Sequence, residues 1–121
     1  MSKADTLEVL LQTLRAAVPQ IRGALVASND GLPIAFDLPA GADPGRLAAL
    51  VGTLTDHSQR LGEGAQTSDF TEAVVQGDHG QAFLFSARSK GVVAVFADLH
   101  CNTGLIRFES RKITAVVASV L

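Results

Sequence analysis

A predicted β-hairpin near the amino terminus constrains the fold more than any other stretch of this sequence. Two apolar runs, within residues 21–28 and 32–37, flank the segment Asn29-Asp30-Gly31. Asn and Asp tolerate left-handed backbone angles and Gly adopts them freely, so this segment is typical of a tight turn between antiparallel strands. Because Pro33 has no backbone N–H to donate, the second strand is expected at an edge of the sheet.

Composition places the chain among single globular domains. Its 121 residues are 47% apolar and 18% charged, which suffices for one buried core but not for two domains. The formal net charge is −2 and the basic residues are scattered, so we expect no nucleic acid partner. No apolar run reaches the roughly 18 residues of a membrane span, and the amino terminus lacks an apolar secretory signal. We therefore expect a cytoplasmic protein with one domain over residues 1–121, and the single Cys101 excludes an intrachain disulfide.

An amphipathic first helix is predicted over residues 5–18. Asp5 and Glu8 have the spacing of a capping box, and Pro19 ends the helix. Its apolar stripe could dock on a partner helix, but covering the protein's own sheet is favoured, because an isolated helix of this length is marginal in water. The stripe consists of Leu7, Leu10, Leu11, Leu14 and Val18.

A second helix is predicted from Pro44 to about Leu61. Asp43 is a suitable N-cap, Pro44 suits the first helical position, and Gly62 can supply a left-handed cap at the end. The predicted core stripe consists of Leu47, Leu50, Val51, Leu54 and Leu61.

Other faces of the second helix carry mostly small side chains. Two rows at helical spacing are Ala48, Gly52, Thr55, Gln59 and Ala49, Thr53, Asp56. A glycine inside a helix costs about 1 kcal/mol relative to alanine, which suggests that something packs closely at Gly52. The sequence leaves open whether this neighbour is the protein's own sheet or the same helix of a second copy.

Three further strands and a last helix complete the chain. Short glycine-bearing turns separate residues 70–76, 81–87 and 92–98, so these strands are expected to be antiparallel neighbours. The last of them is apolar on both faces, which predicts a position inside the sheet with helices on either side. Asn102 is expected to cap a helix that runs from Thr103 to the carboxyl end.

Few residues have the spacing that catalysis or metal binding requires. Asp98, His100 and Cys101 form the tightest polar cluster, which can be interpreted as half a metal site or as a nucleophile with its base. A second pair of ligands is absent, so a strand-to-helix loop is the favoured interpretation. There is no phosphate-binding loop with a terminal Lys-Ser or Lys-Thr. We expect no cofactor, no metal and no enzymatic activity.

The order of elements, together with two motifs, resembles the roadblock / dynein light chain family. The segment Ala27-Ser28-Asn29-Asp30-Gly31-Leu32-Pro33-Ile34-Ala35 looks like the strand, Asp-Gly turn and strand of that family. The segment Asn102-Thr103-Gly104-Leu105-Ile106-Arg107-Phe108-Glu109 is similar to its Asn-x-Gly-apolar helix start. The resemblance covers nearly the whole chain.

This resemblance implies an α+β fold, a three-layer α/β/α sandwich. A five-stranded antiparallel sheet in the order 2-1-5-4-3 would carry the second helix on one face and the first and last helices on the other. Family members form dimers by pairing third strands and packing second helices together. The residues implied at a dimer or partner interface are Arg46, Ala48, Ala49, Gly52, Thr55, Asp56, Gln59, Arg60, Thr71, Ala73 and Val75, while Asn29, Asp30 and Gly31 form a structural turn.

The resemblance also implies a function. Its members are non-catalytic subunits of motor and signalling complexes and, in bacteria, regulators of Ras-like small GTPases, including the gliding-motility protein B type. The expected function is a homodimeric regulator or scaffold of a small GTPase that docks on the paired second helices. Arg46 and Arg60 are the arginines of that helix. Because neither lies on a loop, reshaping of the switch loops is favoured over an inserted arginine. The alternative is a small-molecule-sensing or adaptor domain of a signalling complex.

Overall fold

A computed structural model describes all residues, 1–121, and shows one five-stranded antiparallel sheet between two helical layers. The strand order is β2-β1-β5-β4-β3. Helix α2 packs mainly on β1, β2 and β5 from one side, while α1 and α3 cover the other side. The elements are α1 (Lys3–Ala17), β1 (Ile21–Ala27), β2 (Pro33–Asp37), α2 (Pro44–Gly64), β3 (Glu72–Gln76), β4 (Gly80–Ser86), β5 (Val92–Asp98) and α3 (Thr103–Val120).

The predicted α+β fold and strand order are confirmed. Strand β5 pairs with both β1 and β4, and its residues alternate between the two cores. Val93 and Val95 point into the larger core under α1 and α3, whereas Val92 and Ala94 point into the smaller core under α2. Pro33 begins β2, at the edge of the sheet where its missing N–H leaves no ladder hydrogen bond unmade. None of the helices is both long enough and apolar enough to span a membrane.

The predicted hairpin joins β1 and β2 through a turn that depends on Gly31. The Gly31 N–H donates to the Ser28 carbonyl, 3.0 Å away, and the Ser28 N–H donates to the Leu32 carbonyl at 2.9 Å. Gly31 has φ +86°, whereas Asn29 and Asp30 keep ordinary negative φ angles. The left-handed conformation expected of the turn is therefore confined to its glycine.

The boundaries of α1 differ from the predicted ones. The helix begins at Lys3, and Ser2 caps it by accepting a hydrogen bond from the Asp5 N–H at 3.1 Å while the Asp5 carboxylate accepts from the Ser2 N–H. The capping box is thus Ser2 with Asp5, and the predicted box of Asp5 with Glu8 is wrong. A serine hydroxyl at the N-cap reaches the free N–H groups of the first turn, which makes the earlier start favourable.

Helix α2 continues to Gly64, past its predicted end at about Leu61, so Gly62 lies within the helix and is not its cap. That glycine is needed for space, because a Cβ atom there would lie 2.6 Å from the Ser68 carbonyl oxygen. The left-handed residues occur after the helix, at Gln66 and Ser68. Two strands also shift slightly: β3 begins at Glu72, two residues later than predicted, and β4 covers Gly80–Ser86.

The predicted core stripe of α2 is only partly confirmed: Val51 is buried and Leu47 and Leu54 pack against the smaller core, but Leu50 and Leu61 do not. Ala48, Val51 and Gly52 are the buried residues, whereas the side chains of Leu50 and Leu61 are 57% and 72% exposed. Leu50 and Leu61 stay exposed because α2 lies very close to the β1–β2 hairpin. Only the row of small residues that contains Gly52 fits against that turn.

Candidate partner-binding surface

An apolar groove lies between α2 and the outer strands of the sheet. It has a volume of about 270 Å³ and is lined only by hydrophobic side chains. The groove is open because α2 packs mainly over β1, β2 and β5, so that β3 and the neighbouring part of β4 are only partly covered on this face. Val75 is 49% exposed on the strand side, opposite Leu50 on the helix side. The lining residues are Leu47, Leu50, Val51, Leu54, Val75, Ala82, Leu84 and Phe96.

Strand β3 forms the open edge of the sheet beside this groove. Its register with β4 is continuous, and the Ser86 N–H donates to the Thr71 carbonyl while the Gly77 N–H donates to the Gly80 carbonyl. The backbone hydrogen bonds to β4 are therefore made by every second residue, 71, 73, 75 and 77. The N–H and carbonyl groups of the residues between them, Glu72, Val74 and Gln76, point outward. An edge with free backbone groups and exposed valines favours pairing with another strand.

The interface residues predicted on α2 fall into two groups. Arg46, Ala49, Asp56 and Arg60 are exposed, and Arg60 pairs with Asp56 at 3.2 Å along the helix. In contrast, Ala48 and Gly52 are buried against the protein's own sheet and hairpin. Of the two neighbours left open for Gly52, the structure places the protein's own chain there, so Ala48 and Gly52 are unavailable to a partner.

Gln59 and Thr55, also predicted at the interface, contact the protein's own chain. The Gln59 side chain accepts a hydrogen bond from the Phe70 N–H at 3.0 Å and donates to the Asp69 carboxylate at 3.1 Å. Gln59 therefore fixes the path from α2 to β3. The Thr55 hydroxyl is buried without a hydrogen-bond partner and lines a cavity of about 220 Å³.

On β3, the predicted residues surround the open edge. Thr71 is exposed just before the strand, Val75 lies in the groove, and Ala73 is half-buried against the smaller core. The exposed part of the α2 surface and the β3 edge are therefore contiguous through Val75 and Leu50.

The structural turn is held by side chains of its own and of the next hairpin. The Ser28 hydroxyl accepts from the Leu32 N–H at 3.0 Å and donates to the Asp30 carboxylate. This hydrogen bond, followed by backbone contacts, lowers the pKa of Asp30. Asn29 donates from its side-chain amide to the Ser89 carbonyl at 2.8 Å, which ties the turn to the β4–β5 hairpin.

The polar cluster at the end of β5 is divided among structural contacts. Asp98 is ion-paired with Arg22, and Cys101 is half-buried with its sulfur 3.5 Å from the Gln81 amide. No three His, Cys, Asp or Glu side chains converge in a group that could hold a metal ion.

Of the eight residues that line the groove, sequence reasoning predicted only Val75 at an interface. Periodicity predicts four of the others in the core, Leu47, Leu50, Val51 and Leu54, and it predicts Ala82, Leu84 and Phe96 only as strand residues. The sequence did contain a signal for this groove: α2 has one face with leucines and another face with small residues. A helix with Gly and Ala in one row can pack that row closely, which leaves the leucines for another surface.

Comparisons with known proteins agree with this architecture. The Roadblock/LC7 domain model matches residues 7–97. An uncharacterized protein of Methanocaldococcus jannaschii, MJ0714, is 27% identical over 92 residues, which are 76% of this chain and 77% of that protein. The chain has the same fold as the gliding protein MglB of Thermus thermophilus, with a TM-score of 0.87 at 18% identity over 99% of this chain and 91% of that one.

A structure of MglB with a tetrameric arrangement is also similar, with a TM-score of 0.88 at 18% identity, covering 99% of this chain and 90% of that chain. The family match spans most of the chain and includes the hairpin motif at residues 27–35. The chain belongs to the Roadblock/LC7 domain family.

Proposed function

We propose that this protein is a homodimeric, non-enzymatic regulator or scaffold of a Ras-like small GTPase. The observation that carries the proposal is the apolar groove between α2 and β3, which is continuous with an unpaired sheet edge. Association of this kind is stabilised by the burial of apolar area and by the pairing of free backbone groups. The groove and the adjacent β3 edge offer both.

In the proposed dimer, β3 of each copy pairs with β3 of the other. The outward N–H and carbonyl groups of Val74 and Gln76 would then join the two sheets. The α2 helices would meet above the joined edges, so that Leu50 of each copy is covered by its partner. A twofold axis brings identical surfaces together, as expected of an isologous interface.

The GTPase would bind to the outer face of the paired α2 helices. Support comes from the family membership, from the likeness to the gliding protein MglB, and from the exposed polar residues Arg46, Asp56 and Arg60. Arg60 is paired with Asp56 on a regular helix and is not carried on a loop. We therefore infer that any acceleration of GTP hydrolysis caused by α2 arises from reshaping of the GTPase switch loops and not from an inserted α2 arginine.

A second candidate function is an adaptor domain that senses a small polar molecule. The cavity beside α2 favours it, because Thr55 places an unpartnered buried hydroxyl there, close to the side chains of Asn29 and Gln59. A ligand that satisfied the Thr55 hydroxyl would stabilise the folded protein, which a thermal shift on ligand addition would detect.

The experiment compares two leucine variants of matched exposure. The small GTPase that co-purifies with the tagged chain is isolated, and single-turnover GTP hydrolysis is measured with and without the chain. Leu50→Asp, in the groove, is expected to abolish dimerisation and any effect on hydrolysis. Leu32→Asp, at a residue 61% exposed in the β1–β2 turn, is expected to preserve both.

The outcomes separate the parts of the proposal. Binding without acceleration supports the scaffold function alone. Failure to recover any small GTPase overturns the GTPase partner, and a dimer that survives Leu50→Asp overturns the proposed interface.

A further inference from the structure

The carboxylate of Glu72 pairs with two arginines at the open edge of the sheet. Arg107 donates to it at 2.8 Å and Arg111 at 2.9 Å, both from α3, and the Glu72 side chain is only 17% exposed. One negative charge is therefore shared by two positive ones. The Arg111 side chain is 65% exposed, so its guanidinium group can donate to a further acceptor.

The other side chains on this face of β3 have no polar partner in the protomer. Alternate residues of a strand point to opposite faces, so Glu72, Val74 and Gln76 share the α3 face, while Val75 lies in the groove on the α2 face. Val74 is 39% exposed. The Gln76 side-chain amide is exposed and makes no hydrogen bond within the protein. The free edge thus presents a charged cluster at one end and an unused amide at the other.

Glu72 and Gln76 are equally far from Val74 along the strand. When two copies of one strand pair in antiparallel fashion, a twofold axis at residue 74 places residue 72 of one copy opposite residue 76 of the other. The outward N–H and carbonyl groups belong to these same three residues, so this register pairs all of them. Sliding the second strand by two residues in either direction leaves Gln76 or Glu72 opposite a residue outside β3.

We propose that the cluster of Glu72, Arg107 and Arg111 is a partner-recognition site that receives the Gln76 side chain of a second copy. The inference rests on the β3 pairing of the proposed function and assigns its register. Residues directly opposite each other in an antiparallel pair have Cβ atoms about 5 Å apart. At that distance the Gln76 amide donates to the Glu72 carboxylate and accepts from the exposed guanidinium group.

Two apolar contacts support the same register. Val74 lies opposite Val74 of the second copy, which covers a side chain that is partly exposed in the protomer. On the α2 face, Val75 lies opposite Ala73, so a large exposed side chain meets a small one beside the groove. The site therefore selects a strand with an amide or a carboxylate two residues after its central valine, and it rejects one with a lysine or an arginine there.

Disulfide trapping tests the register. Ala73→Cys, Val74→Cys and Val75→Cys are each made in a chain that also carries Cys101→Ser, and the three variants are oxidised under the same conditions. In the proposed register the two residues 74 have Cα atoms about 5.5 Å apart, within disulfide reach. The two residues 73, and likewise the two residues 75, are offset along the strands and lie more than about 7 Å apart. Only Val74→Cys is expected to form a covalent dimer.

Charge changes at residue 76 test the contact with the cluster. Gln76→Glu supplies a second carboxylate for the two arginines, whereas Gln76→Lys adds a third positive charge. Each dimer contains this contact twice, so the dimer of Gln76→Glu should be about fivefold tighter and that of Gln76→Lys about fivefold weaker, by sedimentation equilibrium at constant ionic strength. Gln12→Glu and Gln12→Lys make the same charge changes at an exposed position of α1 and should leave the affinity unchanged.

The outcomes separate this inference from the dimer itself. A dimer that cross-links through residue 73 or 75 keeps β3 pairing but overturns this register, and a dimer that none of the three cysteines cross-links overturns β3 pairing. Equal effects of the variants at residues 76 and 12 would overturn recognition by the cluster. A chain that sediments as a monomer at every concentration would overturn the proposed homodimer, and this inference with it.

Discussion

The Cα atom of Gly31 occupies the space where a side chain on residue 52 would begin. A Cβ atom built on Gly52 would lie 2.7 Å from that Cα and 2.9 Å from the Gly31 nitrogen. A Cβ on Gly31 would in turn lie 3.2 Å from the Ala49 Cα. Both neighbours are backbone atoms, so neither can rotate away. This contact determines how α2 lies on the sheet, and therefore which of its faces remains exposed.

Gly52→Ala is expected to destabilise the protein despite the better helix propensity of alanine. The gain of about 1 kcal/mol is outweighed by displacing α2 or the hairpin, and overpacking of this kind costs about 1–3 kcal/mol. Gly64→Ala is the control, because nothing lies within 4 Å of a Cβ at that helical position. Urea unfolding should show a lower midpoint for Gly52→Ala and an equal or higher one for Gly64→Ala. Equal midpoints for Gly52→Ala and the unaltered chain would contradict the close contact.

The sequence predicts the elements of this fold better than it predicts the surface of α2. The β1–β2 turn, the fully apolar β5 and the Asn102 cap depend on local residue chemistry, and all three occur where expected. The orientation of α2 depends on a contact between Gly52 and Gly31, which are distant in sequence. Hydrophobic periodicity favours the leucine row as the core, because it measures apolarity and not how closely a row can approach the sheet. The groove formed by Leu50 and Val75 could not be predicted for the same reason.

Val74→Pro is expected to weaken the proposed dimer without unfolding the protomer. The Val74 N–H points away from β4, so its removal takes a donor from the free edge and none from the protomer's own ladder. Val74→Ala keeps this N–H and is the control. Sedimentation velocity should show the proline variant as a monomer at concentrations where the alanine variant is a dimer. A dimer of unchanged affinity in Val74→Pro would exclude β3 pairing.

Arg46→Ala and Arg60→Ala test how GTP hydrolysis is accelerated. Loss of an inserted arginine lowers the rate by about 10³- to 10⁵-fold. Since reshaping of the switch loops is proposed, each variant at saturating concentration should keep the single-turnover rate within about threefold, even where binding weakens. Arg88→Gly removes the exposed arginine on a turn and is expected to behave in the same way. A loss of about a thousandfold in any of these variants would assign that arginine to the GTPase active site.

Lowering the pH is expected to reduce the contribution of Asp30 to the free energy of unfolding. The Ser28 hydroxyl donates to the Asp30 carboxylate, which lowers the pKa of this group in the folded state. The unfolded chain therefore binds a proton more readily than the folded protein does. Asp30 contributes fully to the free energy of unfolding above pH about 4, the ordinary aspartate range. This contribution is lost as the pH falls through the lower pKa of the folded state.

Asp30→Asn isolates this contribution, because asparagine keeps the size and the turn preference of aspartate but has no charge. At pH 7 the variant should unfold at a lower denaturant concentration than the unaltered chain. The difference between the two midpoints should shrink as the pH is lowered below about 4. A difference that stays constant from about pH 7 to about pH 2.5 would mean that the charge of Asp30 does not stabilise the turn.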